Sequence, residues 1–598
     1  MDFLLSHGIK QYFVVTGGGA MHLNDSIGHN PNVNVIYHHH EQACAMAAEG
    51  YARASGKPGV VCITSGPGTT NALTGVLGAW LDSVPMIVLS GQMKSSTLLS
   101  SSSVKLRQLG FQEFNIIDVS KYLTKYSYLI TPKSDINNVL LKAIRNATTK
   151  RKGPVWLDIP LDVQAKQIYT IPKVFKPNQI NTVFSKTELR NIMYKLNRSK
   201  RPVLFLGDQI NHDGARNLVS SFVSFLKIPT VTEWNCHDIL PDSNIYNAGR
   251  PGTIGNRNGN YIVQNSDFLL CLGCQLTIRQ IGYNWIDFAP KAYKVGIHWD
   301  TNEYKKPTVS FNKYLRGNTY YFMKQIIFSG IRSNHSIKKP YNKWSKFLKV
   351  TFPVVSEIKR KKGENFSIYL FFEILSKVYR KNTTFVLANG AVCVAGLQVI
   401  NSRVGRRFFT NAGASSMGYG ITASIGVSLA TGKRSKVVCI EGDGSLQMNL
   451  QELQTIVKNK LDITIFIINN DGYHSIKQTQ DSMFQANLRG YVGANEKSGI
   501  SFPNFKKIST AFDLKYFKIK RFIDLVPILN KVYKSKGPIV CEVFTDPNEV
   551  IAPKQTSKLL PNGNFVTPSL ERMYPQLIES HHDKIMAKLY AWEQNKGY

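Results

Sequence analysis

Between Val437 and Gln480 the chain reads VVCIEGDGSLQMNLQELQTIVKNKLDITIFIINNDGYHSIKQTQ. The runs Val437–Ile440 and Ile463–Ile468 are apolar without alternation, the pattern of strands buried on both faces of a parallel sheet. Between them Leu450, Leu453, Ile456 and Val457 recur at helical spacing. A strand, a helix and a second strand in this order form a crossover unit, which commits the chain to an α/β architecture.

The same alternation recurs along the chain. Tyr12–Thr16, Val33–Tyr37, Gly59–Thr64, Val84–Leu89 and Gly153–Ile159 read as strands, with a helix over Glu41–Ser55. The turns Gly17-Gly18-Gly19 and Gly66-Pro67-Gly68 close two of them. A polar stretch from Lys166 to Lys186 reads as a linker. A second unit opens at Arg201-Pro202-Val203-Leu204-Phe205-Leu206-Gly207 and includes the apolar strand Phe268-Leu269-Leu270; the basic stretch from Arg332 to Asn365 reads as a second linker. The expected organisation is three open parallel-sheet α/β domains, 1–165, 187–331 and 366–545, with a C-terminal tail over 546–598. The first and third units look alike, each feeding strands into glycine-rich turns.

Composition narrows the class. With 43% hydrophobic and 19% charged residues the 598-residue chain is an ordinary globular protein. No apolar run reaches the ~18 residues of a membrane span, and Met1–His7 lacks the features of a signal peptide. Eight scattered cysteines are no disulfide framework, so a reducing cytoplasm is expected. The net charge of +35 raises nucleic-acid binding as a rival reading. The basic residues are dispersed, however, and the densest run, Lys359–Lys362, falls in a linker without any zinc-finger or RNA-recognition pattern. Neither a nucleic-acid nor a membrane partner is expected.

The chemistry concentrates at the turn Gly442-Asp443-Gly444-Ser445. If the two flanking strands are adjacent, Asp443 and Asn470 stand at neighbouring carboxyl ends, where open α/β sheets bind ligands. A helix N-terminus after the turn suits a diphosphate. A carboxylate and an amide oxygen suit Mg²⁺ that also holds phosphate oxygens. His38-His39-His40 is not expected to form a metal site, because consecutive side chains at a strand end diverge. The CxxC pair Cys271 and Cys274 lies at the end of an apolar strand and is expected to be core.

This segment closely resembles the thiamine-diphosphate-binding motif, and the resemblance implies Asp443, Asn470 and the main-chain oxygen of Gly472 as metal ligands, with Gly442, Gly444 and Ser445 around the cofactor. His38–Gln92 resembles the pyrimidine-binding domain of acetolactate synthases and related 2-oxo-acid decarboxylases. Glu41 then falls on the catalytic glutamate, sharing a proton with the aminopyrimidine ring. Phe111, Gln112 and Lys125 follow the acetolactate synthase pattern, the first two over the reacting centre and the lysine near the substrate channel. Met417, within Gly413–Gly420, falls on the residue that supports the bent cofactor. Gly249–Gly255 and Leu272–Arg279 resemble a central FAD-binding domain, with Arg279 on the flavin-holding arginine and Thr277 and Ile278 in place of its usual acidic neighbours. Thr479 replaces the tryptophan that shapes the acceptor pocket of biosynthetic enzymes, as in relatives tied to surface polysaccharides. Relatives also carry a longer opening helix.

The resemblance implies a homo-oligomeric enzyme, dimer or tetramer, using thiamine diphosphate, Mg²⁺ and a structural FAD. It would decarboxylate a 2-oxo acid, pyruvate first, and pass the acyl unit to a carbonyl acceptor. A simple decarboxylase, an acyl-CoA lyase and a catalytically silent scaffold remain as alternatives.

Overall fold

A computed structural model of the chain describes residues 1–167, 181–335 and 338–594. Most of the segment read as the first linker lies outside them. Three six-stranded sheets carry the chain, every neighbouring pair of strands parallel. The first holds β1 (Gln11–Val14), β2 (Asn34–Tyr37), β3 (Gly59–Ile63), β4 (Met86–Gln92), β5 (Ser127–Leu129) and β6 (Pro154–Pro160), in the order β2-β1-β3-β4-β6-β5. The second holds β7 (Pro202–Leu206), β8 (Thr230–Thr232), β9 (Asn247–Gly249), β10 (Phe268–Leu272), β11 (Tyr293–His298) and β12 (Lys313–Arg316), in the order β12-β11-β10-β7-β8-β9. The third holds β13 (Thr383–Leu387), β14 (Arg406–Phe409), β15 (Lys436–Gly442), β16 (Ile463–Asn469), β17 (Lys515–Ile519) and β18 (Ile539–Phe544), in the order β14-β13-β15-β16-β18-β17.

The first and third sheets thus share one topology, as their turns suggested. The strands are buried because helices cover both faces, which is why they read as continuous apolar runs. The helix Glu41–Ser55 has the extent expected, closed by Gly56 in the left-handed region at φ 75°. β5 was not legible: three half-buried residues at a sheet edge carry little pattern.

The first and third sheets are locked by two helices, Glu41–Ser55 and Tyr419–Thr431. A Cβ on Gly50 would lie 2.3 Å from the Ala423 carbonyl oxygen, and one on Gly426 would lie 1.8 Å from that of Ala47. Backbone meets backbone, so no larger residue fits either position.

The stretch read as a second linker proves otherwise. Lys339–Thr351 is a helix whose Tyr341, Trp344 and Leu348 are buried. It packs with a late helix, Glu579–Gln594, where Trp344 Nε1 donates to the Ile585 carbonyl at 3.1 Å. The seven basic and polar residues of the same helix hid a one-sided apolar face. The eight cysteines are buried thiols, with Cys274 Sγ donating to the Phe205 carbonyl at 3.2 Å, so the CxxC pair is core. Among the described residues no helix is long and apolar enough to cross a membrane.

Between β4 and β6, Asp158 is buried; its carboxylate accepts from Ser90 Oγ at 2.5 Å and Gln92 Nε2 at 3.0 Å. Burial pushes it up to about 7 against the pull of those two donors. The folded chain therefore holds this proton more tightly than the unfolded chain. The stability it contributes is fully present below the usual carboxylate range and is lost as pH rises toward 7. Relative to wild type, Asp158→Asn should gain on the order of 4 kcal/mol between pH 4 and pH 8 in urea titrations. A pH-independent difference would contradict the burial argument.

Candidate active site

The third sheet changes winding direction between β13 and β15, the place where an open sheet leaves a crevice at its carboxyl edge. Asp443 stands there, at the start of the helical turn Asp443–Leu446. Its Oδ1 accepts from the Gly444 amide at 2.7 Å, and its Oδ2 from the amides of Asn470 and Gly472 at 3.1 and 3.0 Å. Register places β15 beside β16, so Asp443 and Asn470 do meet at neighbouring strand ends. Burial raises Asp443 to about 6, and the amides of Gly472, Gly444 and Asn470 pull against it. The Asn470 side chain is buried and makes no hydrogen bond among the described residues.

Two glycines are obligatory here. Gly472 has φ 110°, and a Cβ would lie 2.1 Å from the Ala494 carbonyl. A Cβ on Gly444 would lie 2.2 Å from the Tyr473 ring. Gly442 is open to its surroundings, with nothing closer than Ser445 at 3.9 Å. Ser445 Oγ accepts from the Gly418 amide at 2.9 Å, which ties the half-buried Met417 to the same turn. Lys477 escaped the sequence reading: its amine donates to the Asn470 and Asp471 carbonyls at 3.3 and 3.2 Å and holds the loop from beneath. A lone lysine on a polar helix gives no signal of this.

Glu41 opens its helix directly after β2, and His40 caps it by accepting from the Gln42 amide at 3.1 Å. The Glu41 carboxylate is buried and accepts from Asn71 Nδ2 at 3.0 Å. The turn Gly66-Pro67-Gly68 brings Gln112 to the same mouth. A Cβ on Gly68 would sit 3.4 Å from Glu41 Oε1, and one on Gly66 would sit 2.5 Å from the Gln112 carbonyl. Phe111 projects outward, 78% exposed. Lys125 is elsewhere: its amine donates to the Asn146 and Thr149 carbonyls at 2.5 and 3.1 Å and lines a cavity between the first and central sheets that does not include Glu41. Thr479 is exposed, its hydroxyl donating to the Ser475 carbonyl at 3.0 Å.

The three histidines diverge, as strand-end geometry requires. His38 Nδ1 pairs with Glu452 Oε2 at 2.7 Å, both side chains buried, and the His39 amide donates to Glu452 Oε1 at 3.0 Å. Burial pushes Glu452 up, but His38 and Thr455 outweigh it and hold the carboxyl below its usual value. Glu452 thus fixes the entry to the Glu41 helix from the third sheet. Nothing in its sequence surroundings, LQELQ, marked it.

The central sheet has the order of dinucleotide-binding folds, with its crevice between β7 and β10. Arg279 lies over the Trp234 ring at 5.3 Å, with Nη2 3.5 Å from Ser415 Oγ. The backbone of the Gly249–Gly255 segment, which resembles part of a FAD-binding domain, is bonded to other parts of the central domain. The Gly252 amide donates to Asn260 Oδ1 and the Thr253 amide to the Arg279 carbonyl, each at 2.8 Å. Cβ atoms on Gly252 and Gly255 would meet the Arg279 and Arg250 carbonyls. At the crevice itself the Gly207 amide donates to Leu272, the Gln209 amide to Gly273, and the Asp208 amide to the Glu233 carboxylate. Burial and the charge of Asp208 push Glu233 up to about 8.

Fold and site together define an α/β enzyme that binds a diphosphate cofactor at the third sheet. The profile described as thiamine pyrophosphate enzyme, N-terminal TPP binding domain, matches residues 1–119; the central domain matches 189–311, and the C-terminal TPP binding domain 388–543. The chain belongs to the thiamine pyrophosphate enzymes. It is similar to the acetolactate synthase isozyme 1 large subunit of Escherichia coli, 29% identical over 574 residues that cover 92% of this chain and 94% of the relative. The large subunit from Buchnera aphidicola of Schizaphis graminum is also 29% identical, over 92% and 95%. The chloroplastic acetolactate synthase 3 of Brassica napus is 28% identical, over 94% and 84%.

Glu452→Leu leaves His38 without a partner and the His39 amide without an acceptor. It should lower stability by roughly 3 kcal/mol in denaturant titrations. A loss below ~0.5 kcal/mol would show that the pair is not what anchors this junction.

Proposed function

We propose that the chain decarboxylates a 2-oxo acid, pyruvate first, and transfers the acyl unit to a carbonyl acceptor, as the acetolactate synthases do by name. The observation that carries this is the Asp443 carboxylate, held by three loop amides beside an Asn470 side chain with no other bond. A hard oxygen set with one uncommitted amide matches Mg²⁺, with Asp443, Asn470 and the Gly472 carbonyl as ligands. Gly442, Gly444 and Ser445 would receive the diphosphate, and Met417 would back the cofactor. When bound, thiamine diphosphate would supply the nucleophilic carbon and the electron sink that 2-oxo-acid decarboxylation and acyl transfer need.

The chain's own part is to position and to move protons. Glu41, held by Asn71, would exchange a proton with the aminopyrimidine ring nitrogen. Gln112 and Phe111 would face the reacting centre, and the exposed Thr479 would leave the acceptor side more polar than a tryptophan does. Glu41 and Asp443 stand on different sheets, and Phe111, Phe484 and Leu488 are exposed apolar side chains near these elements, which supports a dimer that joins the two halves across an interface. FAD does not fit. The amides that would receive its pyrophosphate are bonded within the protein, that of Asp208 to Glu233.

Glu41→Gln should retain cofactor binding and slow hydrogen–deuterium exchange at cofactor C2 by ~100- to 10,000-fold, with turnover falling in parallel. Wild-type exchange in a folded variant would remove Glu41 from the mechanism. Asp443→Ala should lose Mg²⁺-dependent cofactor binding by calorimetry, and mixing it with Glu41→Gln under subunit exchange should restore part of the activity. Labelled pyruvate with a panel of aldehydes, oxo acids and oxo-sugars identifies the acceptor; carbon dioxide release with no ligation product would reduce the reaction to decarboxylation.

A further inference from the structure

The strands of the third sheet are all parallel, so their amino ends share one edge, opposite the edge that carries Asp443. Register keeps five of them level there: Thr383 pairs with Lys436, Val437 with Ile463, Thr464 with Ile539, and Ile539 with Lys515. At ~4.8 Å per strand the row runs for roughly 19 Å. The loop before β13 carries Arg380 and Lys381, and that before β15 carries Lys433 and Arg434. Before β16 stand Lys458, at the end of its helix, and Lys460; before β18 stand Lys534 and Lys536; β17 opens on Lys515. The acidic residues of these loops are Asp513 and Asp462, and the Asp462 carboxylate accepts from the Gly537 amide at 3.0 Å. Each loop contributes so few bases that the sequence shows them dispersed; parallel pairing collects them on one edge.

Part of this set is spent within the protein. Arg380 donates to the Lys377 carbonyl at 2.8 Å, and Arg434 to the Thr431 and Ala430 carbonyls at 3.1 and 2.7 Å. Lys436 donates to the Tyr533 carbonyl at 2.6 Å and Lys515 to the Lys536 carbonyl at 3.3 Å. Lys381, Lys433, Lys458, Lys460, Lys534 and Lys536 remain. All six are exposed, and their amines make no hydrogen bond or ion pair among the described residues. Five helices end at this edge, so carboxyl ends that are negative by dipole lie behind the lysines. A phosphate seated against the backbone would meet that charge; a diffuse anionic surface, met at the length of a lysine side chain, would not. The free cations are point charges without the fork that grips a single phosphate. The neighbouring rings are not free to stack a base: Tyr379 is buried, Phe512 packs against the core and Tyr533 lies under the Lys436 amine at 4.7 Å.

We propose that this edge binds the surface of an anionic lipid bilayer, with the six lysines toward the headgroups and the Asp443 edge turned away from them. Phe484 and Leu488, assigned above to a dimer, follow β16 at that other edge, so the two contacts do not compete. The surface shares no residue with the proposed reaction and stands independently of it. The test is sedimentation of the full-length, thiamine-diphosphate- and Mg²⁺-loaded protein with vesicles of phosphatidylcholine, alone or mixed with phosphatidylserine. The mixed vesicles alone should bind it, and binding should fall at least ~10-fold between about 0.1 M and 1 M salt, as the screening length shrinks from ~10 to ~3 Å. The triple variant Lys433→Glu, Lys460→Glu, Lys534→Glu should weaken binding at least ~100-fold, at roughly fivefold for each lysine held near an anionic bilayer. Lys10→Glu, Lys200→Glu, Lys291→Glu changes the net charge equally at exposed lysines of the other two domains and should weaken it less than ~10-fold. Unchanged thiamine diphosphate affinity in both variants shows that they are folded. The proposal is overturned if the mixed vesicles are not bound, if phosphatidylcholine alone is bound as well, if the edge variant binds as wild type, or if both triple variants lose binding equally. It is also overturned if a DNA duplex of equal total negative charge displaces the protein from the vesicles, which would assign the edge to nucleic acid.

Discussion

The first and third sheets meet through two helices in backbone contact, and that contact sets where the rest of the molecule stands. Gly50 and Gly426 allow it by having no side chain where the opposite carbonyls lie. Because the approach is limited by main-chain atoms, the two sheets have one distance rather than a range. The His38–Glu452 pair then fixes rotation about the contact, since it joins the start of one helix to the sheet that carries the other. Glu41 and Asp443 are thereby held on a frame with little freedom. Each chain thereby presents both residues in one fixed relation, on which a site completed by a second chain also depends.

Legibility followed locality. The turn around Asp443 could be read because its acidic, amide and glycine residues and its flanking strands occupy one continuous stretch, and buried parallel strands advertise themselves as apolar runs. Glu41 was legible for the same reason, as the first residue of a helix with clear ends. Glu452 was not, because its partner is reached through space, 414 residues away for the His38 contact, and Lys477 was not, because a lysine that bonds main-chain carbonyls a few residues back leaves no pattern in the sequence. The helix Lys339–Thr351 was mistaken for a linker because three apolar residues among lysines satisfy no compositional rule until their partners are known.

The central sheet shows how topology and chemistry separate. Its strand order is that of a dinucleotide-binding fold, yet the amides at its crevice are occupied by Glu233 and by each other. Fold alone therefore does not name the ligand, which depends on the bonding of individual amides.

The packing of helices Lys339–Thr351 and Glu579–Gln594 on the central sheet has a consequence for biosynthesis. Trp344 leans on Ile585, Arg201 is clamped by Glu593 at 2.6 Å, and Asn260 donates to the Leu570 carbonyl at 2.9 Å. The middle third of the polypeptide emerges from the ribosome long before these partners exist. During translation it must wait with an apolar face uncovered, while the first sheet is already complete in itself. Residues this late in the chain therefore close the middle of the molecule, and a chain lacking helix Glu579–Gln594 would fail to consolidate at its centre.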